Sequence, residues 1–215
     1  MLRNATRVLL STLALGAVVA ATSSGTANAT DPSRASTLDH TARAVVRPVT
    51  STGSPAAGYT VHREAGSTSC SDQATTSVSA AVDTCFPTAY YFPSCWKSTN
   101  HTALCLRHVS DTRLVRIRYS GTFAAKPAVQ RPSPQRLTLV GGGTCDIRIG
   151  GAWGVVPGHP DWVGWYSCTN GSVYGSPTGD GVNRSRPVWR VHLVGSDGTL
   201  VTRRVAKATY VGTAS

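Results

Sequence analysis

Residues 189–210, which read WRVHLVGSDGTLVTRRVAKATY, indicate the fold class most clearly. Apolar and polar residues alternate over 189–193, the segment GSDG follows at 195–198, and a second apolar run begins at Leu200. Alternation with a period of two is typical of a strand with one buried face, and a Gly-rich turn between two such runs predicts a β-hairpin. We therefore expect two antiparallel strands, the second running toward Tyr210.

The same period-two pattern recurs upstream of this hairpin. In residues 113–119 (RLVRIRY), apolar side chains from Val115 onward alternate with Arg116 and Arg118. Shorter runs of this kind occur at residues 137–139, 145–149, 163–168 and 173–174. Residues 75–82 (TTSVSAAV) could form a short helix, although their Ser, Thr and Val content argues against it. The sequence thus predicts an all-β fold, a small disulfide-stabilised sandwich or open barrel preceded by a signal peptide and a flexible tail.

The cysteines support a fold stabilised by disulfides. They are Cys70, Cys85, Cys95, Cys105, Cys145 and Cys168. Spacing alone does not fix their connectivity. We predict sequential pairing, because Cys95 and Cys105 flank a polar loop and Cys145 and Cys168 lie near strand ends. Each bridge would contribute about 2 to 4 kcal/mol. Neither a CxxC pair nor suitably spaced histidines accompany the cysteines, so no metal site is predicted.

Residues 1–29 have the features of an export signal. Arg3 and Arg7 form a basic start without acidic residues, an apolar run follows, and Ala27-Asn28-Ala29 is a small-x-small cleavage site. The apolar run of about 14 residues is shorter than the roughly 20 that a membrane-spanning helix requires. We expect a secreted, extracellular protein without a membrane span; a retained signal anchor is the alternative.

The remainder of the chain divides into a tail and a body. Residues 30–58 are rich in Ser, Thr, Ala and Pro and contain few apolar residues, so we predict a disordered tail. Residues 59–215 are predicted to form one disulfide-stapled β domain. The Pro-rich connection at 124–134 (AAKPAVQRPSP) marks the place where a division into two domains is the alternative.

The chain is strongly basic. It has 21 Lys and Arg against 10 Asp and Glu, a net charge of +11, and removal of residues 1–29 leaves 19 against 10, a net charge of +9. Such a charge favours anionic envelope polymers, nucleic acid or acidic proteins as partners, although no motif specific for nucleic acid is present. The alternative is a solvated basic surface without a dedicated ligand. Arg116 and Arg118, on the polar face of their strand, are candidate binding residues.

Residues 150–166 (GGAWGVVPGHPDWVGWY) are rich in aromatic side chains. Exposed rings on a disulfide-tied loop would offer a stacking surface for a carbohydrate or a partner protein. Trp153 and Trp162, which have Gly and Pro neighbours, are the candidate binding residues of this segment. For Trp165 and Trp189 we favour a place in the core.

The sequence contains none of the common catalytic signatures: GxSxG, HExxH, a P-loop and GxGxxG are all missing. Asp161, Asp180 and Asp197 lie in turn-like segments, where an aspartate usually bonds its own backbone. The histidines that could serve a ribonuclease are His101, His108, His159 and His192, but their spacing does not place two of them together. We predict no catalytic residue, no cofactor and no metal ligand.

The last third of the chain contains four distinctive runs of sequence. Residues 142–215 contain GGTCDIRIGGAWG, VGWYSC, RSRPVWRVHLV and RRVAKATYVGTA. This run resembles the C-terminal part of secreted proteins of unknown function from Streptomyces-type actinobacteria. The resemblance implies an exported bacterial protein and carries no fold, activity or site residue.

Three hypotheses of function follow from these observations. The first is a non-enzymatic protein that binds an anionic or carbohydrate partner at the cell envelope or outside the cell. The second is a secreted enzyme inhibitor that presents a disulfide-tied loop, at 95–105 or 145–168. The third is a small basic hydrolase that acts on RNA.

Overall fold

The computed structural model describes residues 38–86, 91–123, 126–148 and 153–215. Within these ranges the chain forms strands, turns and bends and has no helical residue, which confirms the predicted all-β class. None of the described segments is therefore a helix long and apolar enough to cross a bilayer. The predicted export signal at 1–29 lies outside the described residues.

The described residues contain thirteen strands. They are β1 (Ala42–Thr50), β2 (Thr60–Gln73), β3 (Val82–Phe86), β4 (Phe92–Lys97), β5 (Thr102–Leu106), β6 (Arg113–Ser120), β7 (Arg136–Leu139), β8 (Thr144–Ile147), β9 (Val163–Cys168), β10 (Gly171–Gly175), β11 (Val182–Asn183), β12 (Arg190–Val194) and β13 (Leu200–Ala214). The hairpin predicted at 189–210 is confirmed as β12 and β13. Residues 75–81 form a turn, an isolated bridge and bends instead of the short helix considered for 75–82.

One sheet has the strand order β1-β13-β7-β8-β9-β10-β12-β11. Because β12 also pairs with the first residues of β13, strands β7 to β10, β12 and β13 form a closed ring of paired neighbours, which we call the large barrel. Its neighbouring strands are antiparallel, whereas β1 pairs with β13 in parallel. Its core is built from buried residues on alternate positions of these strands, including Leu137, Ile147, Tyr166, Val173, Val191, Leu193, Val205 and Tyr210.

The second sheet is a closed barrel of β2 to β6, which we call the small barrel. Its first and last strands, β2 and β6, close it by parallel pairing. Two disulfides and the side chains of Ala103, Ile117 and Tyr119 fill its core. On β6, Leu114 shares the face of the arginines yet is fully buried. It is buried because that face of the small barrel packs against Val49 of β1 and Val211 of β13, which joins the two barrels.

The disulfides link Cys70 to Cys85, Cys95 to Cys105 and Cys145 to Cys168, the sequential pairing expected from the sequence. Each connects two adjacent antiparallel strands, and the last two join residues that lie directly opposite each other. All six cysteines are thus oxidised, as expected for a protein of an oxidising compartment.

The prediction of a disordered tail over 30–58 is wrong for its second half. Residues Ala42–Thr50 form β1, and Val49 is fully buried between the two barrels. Composition wrongly indicates disorder here, because β1 is held largely by backbone hydrogen bonds to the free edge of β13. Such pairing requires few apolar side chains, and Val49 and its neighbours provide them. One compact unit extends from Leu38 to Ser215, so the domain begins earlier than the predicted residue 59.

Candidate functional site

A concave pocket on the large barrel combines guanidinium groups with aromatic rings. Its volume is about 430 Å³. The described residues that line it are Arg43, Gln130, Arg131, Pro132, Arg184, Trp189 and Tyr210. These residues come from β1, from the connection between the two barrels, from the segment between β11 and β12, and from β13, so only the folded chain brings them together. We call this site the arginine–aromatic pocket.

Tyr210 and Arg43 form one side of the pocket. Pairing of β1 with β13 places Arg43 opposite Ala208, and the guanidinium carbon of Arg43 lies 5.2 Å from the centre of the Tyr210 ring. Tyr210 itself is buried, and this burial raises the pKa of its phenol, while the nearby Arg184 and Arg43 act in the opposite direction. The phenol is therefore neutral at physiological pH, and the ring serves as an apolar floor beneath the cation.

Arg184 and Trp189 form the opposite side. Asp180 binds Arg184 through both carboxylate oxygens, with Nη1 donating to Oδ1 at 2.9 Å and Nη2 donating to Oδ2. The same carboxylate accepts the N–H of Val182 at 3.1 Å, which is the turn-forming role expected of Asp180. Arg184 also lies over the Trp189 ring, 5.0 Å from its centre. Asp180 thus fixes the position of Arg184 and neutralises its charge.

The remaining charge of the pocket is positive. Within the part of the chain that the structure describes, Arg43 and Arg131 form no ion pair with a carboxylate. Guanidinium groups bind carboxylates and phosphates through paired, charge-assisted hydrogen bonds. Aromatic rings offer apolar contact to the C–H faces of a sugar. The pocket therefore suits a ligand that carries both a negative group and a ring.

Trp153 lies on the outer surface of the large barrel, over β9 and β10. A Cβ on Gly164 would come within 1.8 Å of the Trp153 ring, which shows that the indole lies directly on the backbone of Gly164. Its ring meets Tyr174 edge to face at a centroid distance of 5.7 Å, and the Arg148 guanidinium lies 4.6 Å from its centre. Trp153 is consequently half-buried and held by three neighbours.

Trp162 occupies the same surface, next to β12. It stacks on His159 at a centroid distance of 3.8 Å and contacts His192 at 4.9 Å. The fold thus brings two histidines onto one indole, a proximity that their spacing in the sequence does not predict. Both imidazoles contact the indole ring, and Nδ1 of His192 also lies 3.4 Å from the hydroxyl of Thr202. Trp165 and Trp189 are partly buried against the core of the large barrel.

Arg116 and Arg118 lie elsewhere, on β6 of the small barrel, and line an open groove together with Arg63. The four binding residues predicted from the sequence therefore belong to two separate surfaces, one on each barrel. The other two candidate histidines are engaged locally, since His101 contacts the Tyr119 ring and His108 lies 3.5 Å from Asp146.

The residues of the arginine–aromatic pocket escaped prediction for a structural reason. Arg43 falls in the segment interpreted as a tail, and Arg131 falls in a Pro-rich connection without periodicity. The available signal was the repetition of arginine beside aromatic and apolar residues, in ARAVVR at 42–47 and RSRPVWR at 184–190.

The chain was also compared with known proteins. No family model, curated protein sequence or solved structure matches it. Its function is therefore argued from the geometry of these sites.

Proposed function

We propose that this protein is a secreted, non-enzymatic protein that binds an acidic carbohydrate at the cell envelope or outside the cell, through the arginine–aromatic pocket. The observation that carries the proposal is the presence of Arg43 and Arg131, without carboxylate partners among the described residues, beside the rings of Trp189 and Tyr210 in one concavity. The export signal expected at 1–29 and the fully oxidised cysteines support a place outside the cytoplasm.

Recognition would divide between charge and ring contact. Arg43 and Arg131 would pair with the carboxylate or phosphate groups of the polymer, while Trp189 would contact the apolar face of a sugar unit. The side-chain amide of Gln130 would hydrogen-bond a sugar hydroxyl. Arg184, held by Asp180, would keep Trp189 in place rather than carry free charge.

The other two hypotheses receive less support. For RNA hydrolysis, two imidazoles would have to face one phosphate group, whereas His159 and His192 are both in ring contact with Trp162. For an inhibitor, one of the two loops would have to project toward an enzyme. In the first, 95–105, β4 continues to Lys97 and β5 begins at Thr102, so a tip of only four residues is left. In the second, 145–168, Trp153 and Trp162 contact Tyr174 and His192 of the large barrel.

Binding to a charged and a neutral polysaccharide tests the proposal. The disulfide-intact protein is titrated with polygalacturonate and with dextran at constant ionic strength, and Trp fluorescence and calorimetry are followed. Polygalacturonate is expected to bind and dextran is not. A variant carrying Arg43→Gln and Arg131→Gln should bind at least about tenfold more weakly, because it loses two charge-assisted interactions.

A matched control separates the pocket from general charge. Arg190 and Arg204 are exposed, lie opposite each other on β12 and β13, and do not line the pocket. The double variant Arg190→Gln and Arg204→Gln has the same net charge as the double variant of the pocket, and it should bind within about twofold of the wild type. Equal weakening in both double variants would reject the pocket as the binding site, and no polygalacturonate binding at low salt would reject the proposed function.

A further inference from the structure

Three arginines lie next to one another on the small barrel, at the parallel junction of β2 and β6. Arg63 pairs directly with Arg116, and Ser67 pairs with Arg118 two residues farther along β6. Like charges on directly opposed residues of a sheet destabilise the pair unless another charge compensates them. Among the described side chains, none of these three arginines forms an ion pair with a carboxylate. The junction therefore concentrates positive charge.

The arginines surround an open groove with a further hydrogen-bond donor. The groove has a volume of about 490 Å³, and its described lining residues are Arg63, Gly66, Ser67, Thr102, Arg116, Ile117 and Arg118. Ser67 contributes a hydroxyl group on β2, whereas the Thr102 hydroxyl already donates to the carbonyl oxygen of Thr99 at 2.6 Å. Between Arg63 and Ser67, β2 bulges away from the regular pairing with β6. A bulge interrupts the regular ladder of hydrogen bonds, so this segment of β2 departs from the pairing found on either side of it.

One buried atom of a groove-lining arginine lacks a partner. Nε of Arg116 is buried and has no hydrogen-bond acceptor within the described part of the chain. A buried guanidinium N–H without an acceptor is unfavourable, and a bound anion would supply the missing acceptor. In the register of β6, Arg116 also lies between Arg63 on one side and Leu104 on the other, which fixes its position in the sheet.

We infer that this groove is a binding site for a tetrahedral oxyanion, a phosphate or sulfate group. Donors reach the groove from β2 and β6, and a tetrahedral anion with several acceptor oxygens can bind donors from different directions. A planar carboxylate offers only two oxygens and would leave part of the donor set unused. The site lies on the small barrel, shares no residue with the arginine–aromatic pocket, and does not depend on the function proposed for that pocket.

Calorimetric titration of the full mature protein with inorganic phosphate tests the site directly. Phosphate, sulfate and acetate are each titrated at constant ionic strength in a chloride buffer at pH 7.5. We expect saturable binding of phosphate or sulfate with one site per chain and no saturable binding of acetate. Long-chain polyphosphate is titrated in parallel. If the protein binds the polymer but not free phosphate, the natural ligand is a phosphate group within a polymer. Loss of phosphate or polyphosphate binding in the arginine variants supports the site.

The variants are chosen from one strand. Arg116→Gln and Arg118→Gln should each weaken phosphate binding at least about tenfold, because each removes a charge-assisted donor. Arg113→Gln is the control, since Arg113 is exposed on the same strand and does not line the groove. It should leave the affinity unchanged. Arg118 is exposed, so its variant keeps the test valid if Arg116→Gln impairs folding.

Glu64 requires a separate variant, because it follows Arg63 directly in the sequence. If phosphate bound to the Glu64→Gln variant but not to the wild type, the Glu64 carboxylate would already neutralise the arginines of the native protein. This result would overturn the inference. Absence of saturable phosphate, sulfate and polyphosphate binding in both proteins would overturn it as well. Equal binding by the wild type and by Arg118→Gln and Arg116→Gln would show that the anion binds elsewhere.

Discussion

Shortening the Val49 side chain to that of alanine tests whether β1 is an integral part of the domain. Val49 is fully buried between the two barrels, where it packs with Trp96, Leu104 and Val211. Val49→Ala removes two buried carbon atoms, worth about 1.6 kcal/mol at about 0.8 kcal/mol each. The cavity that remains adds to this loss, so the free energy of unfolding should fall by about 2 to 3 kcal/mol.

Urea unfolding followed by Trp fluorescence measures this effect. Val45→Ala is the matched control, because Val45 lies on the same strand but is 39% exposed. It should lower the free energy of unfolding by less than about 0.5 kcal/mol. If the two variants were equally stable, β1 would contribute nothing to the core, and the packing of the two barrels around Val49 would be refuted.

Two further predictions concern single buried contacts. Tyr166→Phe removes the hydroxyl that donates to the carbonyl oxygen of Pro134 at 3.0 Å, and should lower the free energy of unfolding at neutral pH by about 1 kcal/mol. Burial raises the pKa of the Tyr166 phenol well above its ordinary value, so its contribution is full below about pH 10 and is lost as the pH rises toward the pKa of the folded state. The urea midpoint of the wild type should thus fall more steeply above pH 10 than that of Tyr166→Phe, and parallel curves would contradict this reasoning. Gly164→Ala places a Cβ within 1.8 Å of the Trp153 ring and should displace the indole, lowering stability by about 1 to 3 kcal/mol and shifting its fluorescence to longer wavelength. Gly154→Ala, whose Cβ would meet its nearest neighbour at 3.7 Å, should leave the spectrum unchanged, and an equal shift in both would argue against the Trp153 contact.

The strand content was predictable wherever one face of a strand is buried and the other is solvated. The hairpin of β12 and β13 is such a case, because Val191 and Leu193 enter the core while Arg190 is exposed. The pattern fails where both faces are covered, as at Leu114, since packing of one barrel on the other buries a position that local periodicity assigns to solvent. It fails again for β1, whose pairing partner lies at the opposite end of the chain. A local pattern contains no information about such a partner.

The candidate sites were predictable to a smaller extent. Trp153 and Trp162 could be singled out because aromatic residues among glycines are conspicuous, but their ring contacts with Gly164, His159 and His192 depend on strand register. Arg116 and Arg118 could be assigned to one face of a strand, whereas the adjacent Arg63 became visible only through the parallel pairing of β2 and β6. Residues of a pocket that is assembled from distant segments have no common signal in the sequence.

Each of the two sheets pairs its earliest strand with its latest in parallel, β1 with β13 and β2 with β6. During synthesis β1 emerges before β13, so β1 has no partner strand until β13 has left the ribosome. The large barrel and β1 consequently cannot complete their pairing before β13 is made, and the many contacts between distant residues slow folding further. A large barrel that stays open until β13 arrives would suit the export predicted from residues 1–29, in which the polypeptide would cross the membrane unfolded and pair its cysteines afterwards.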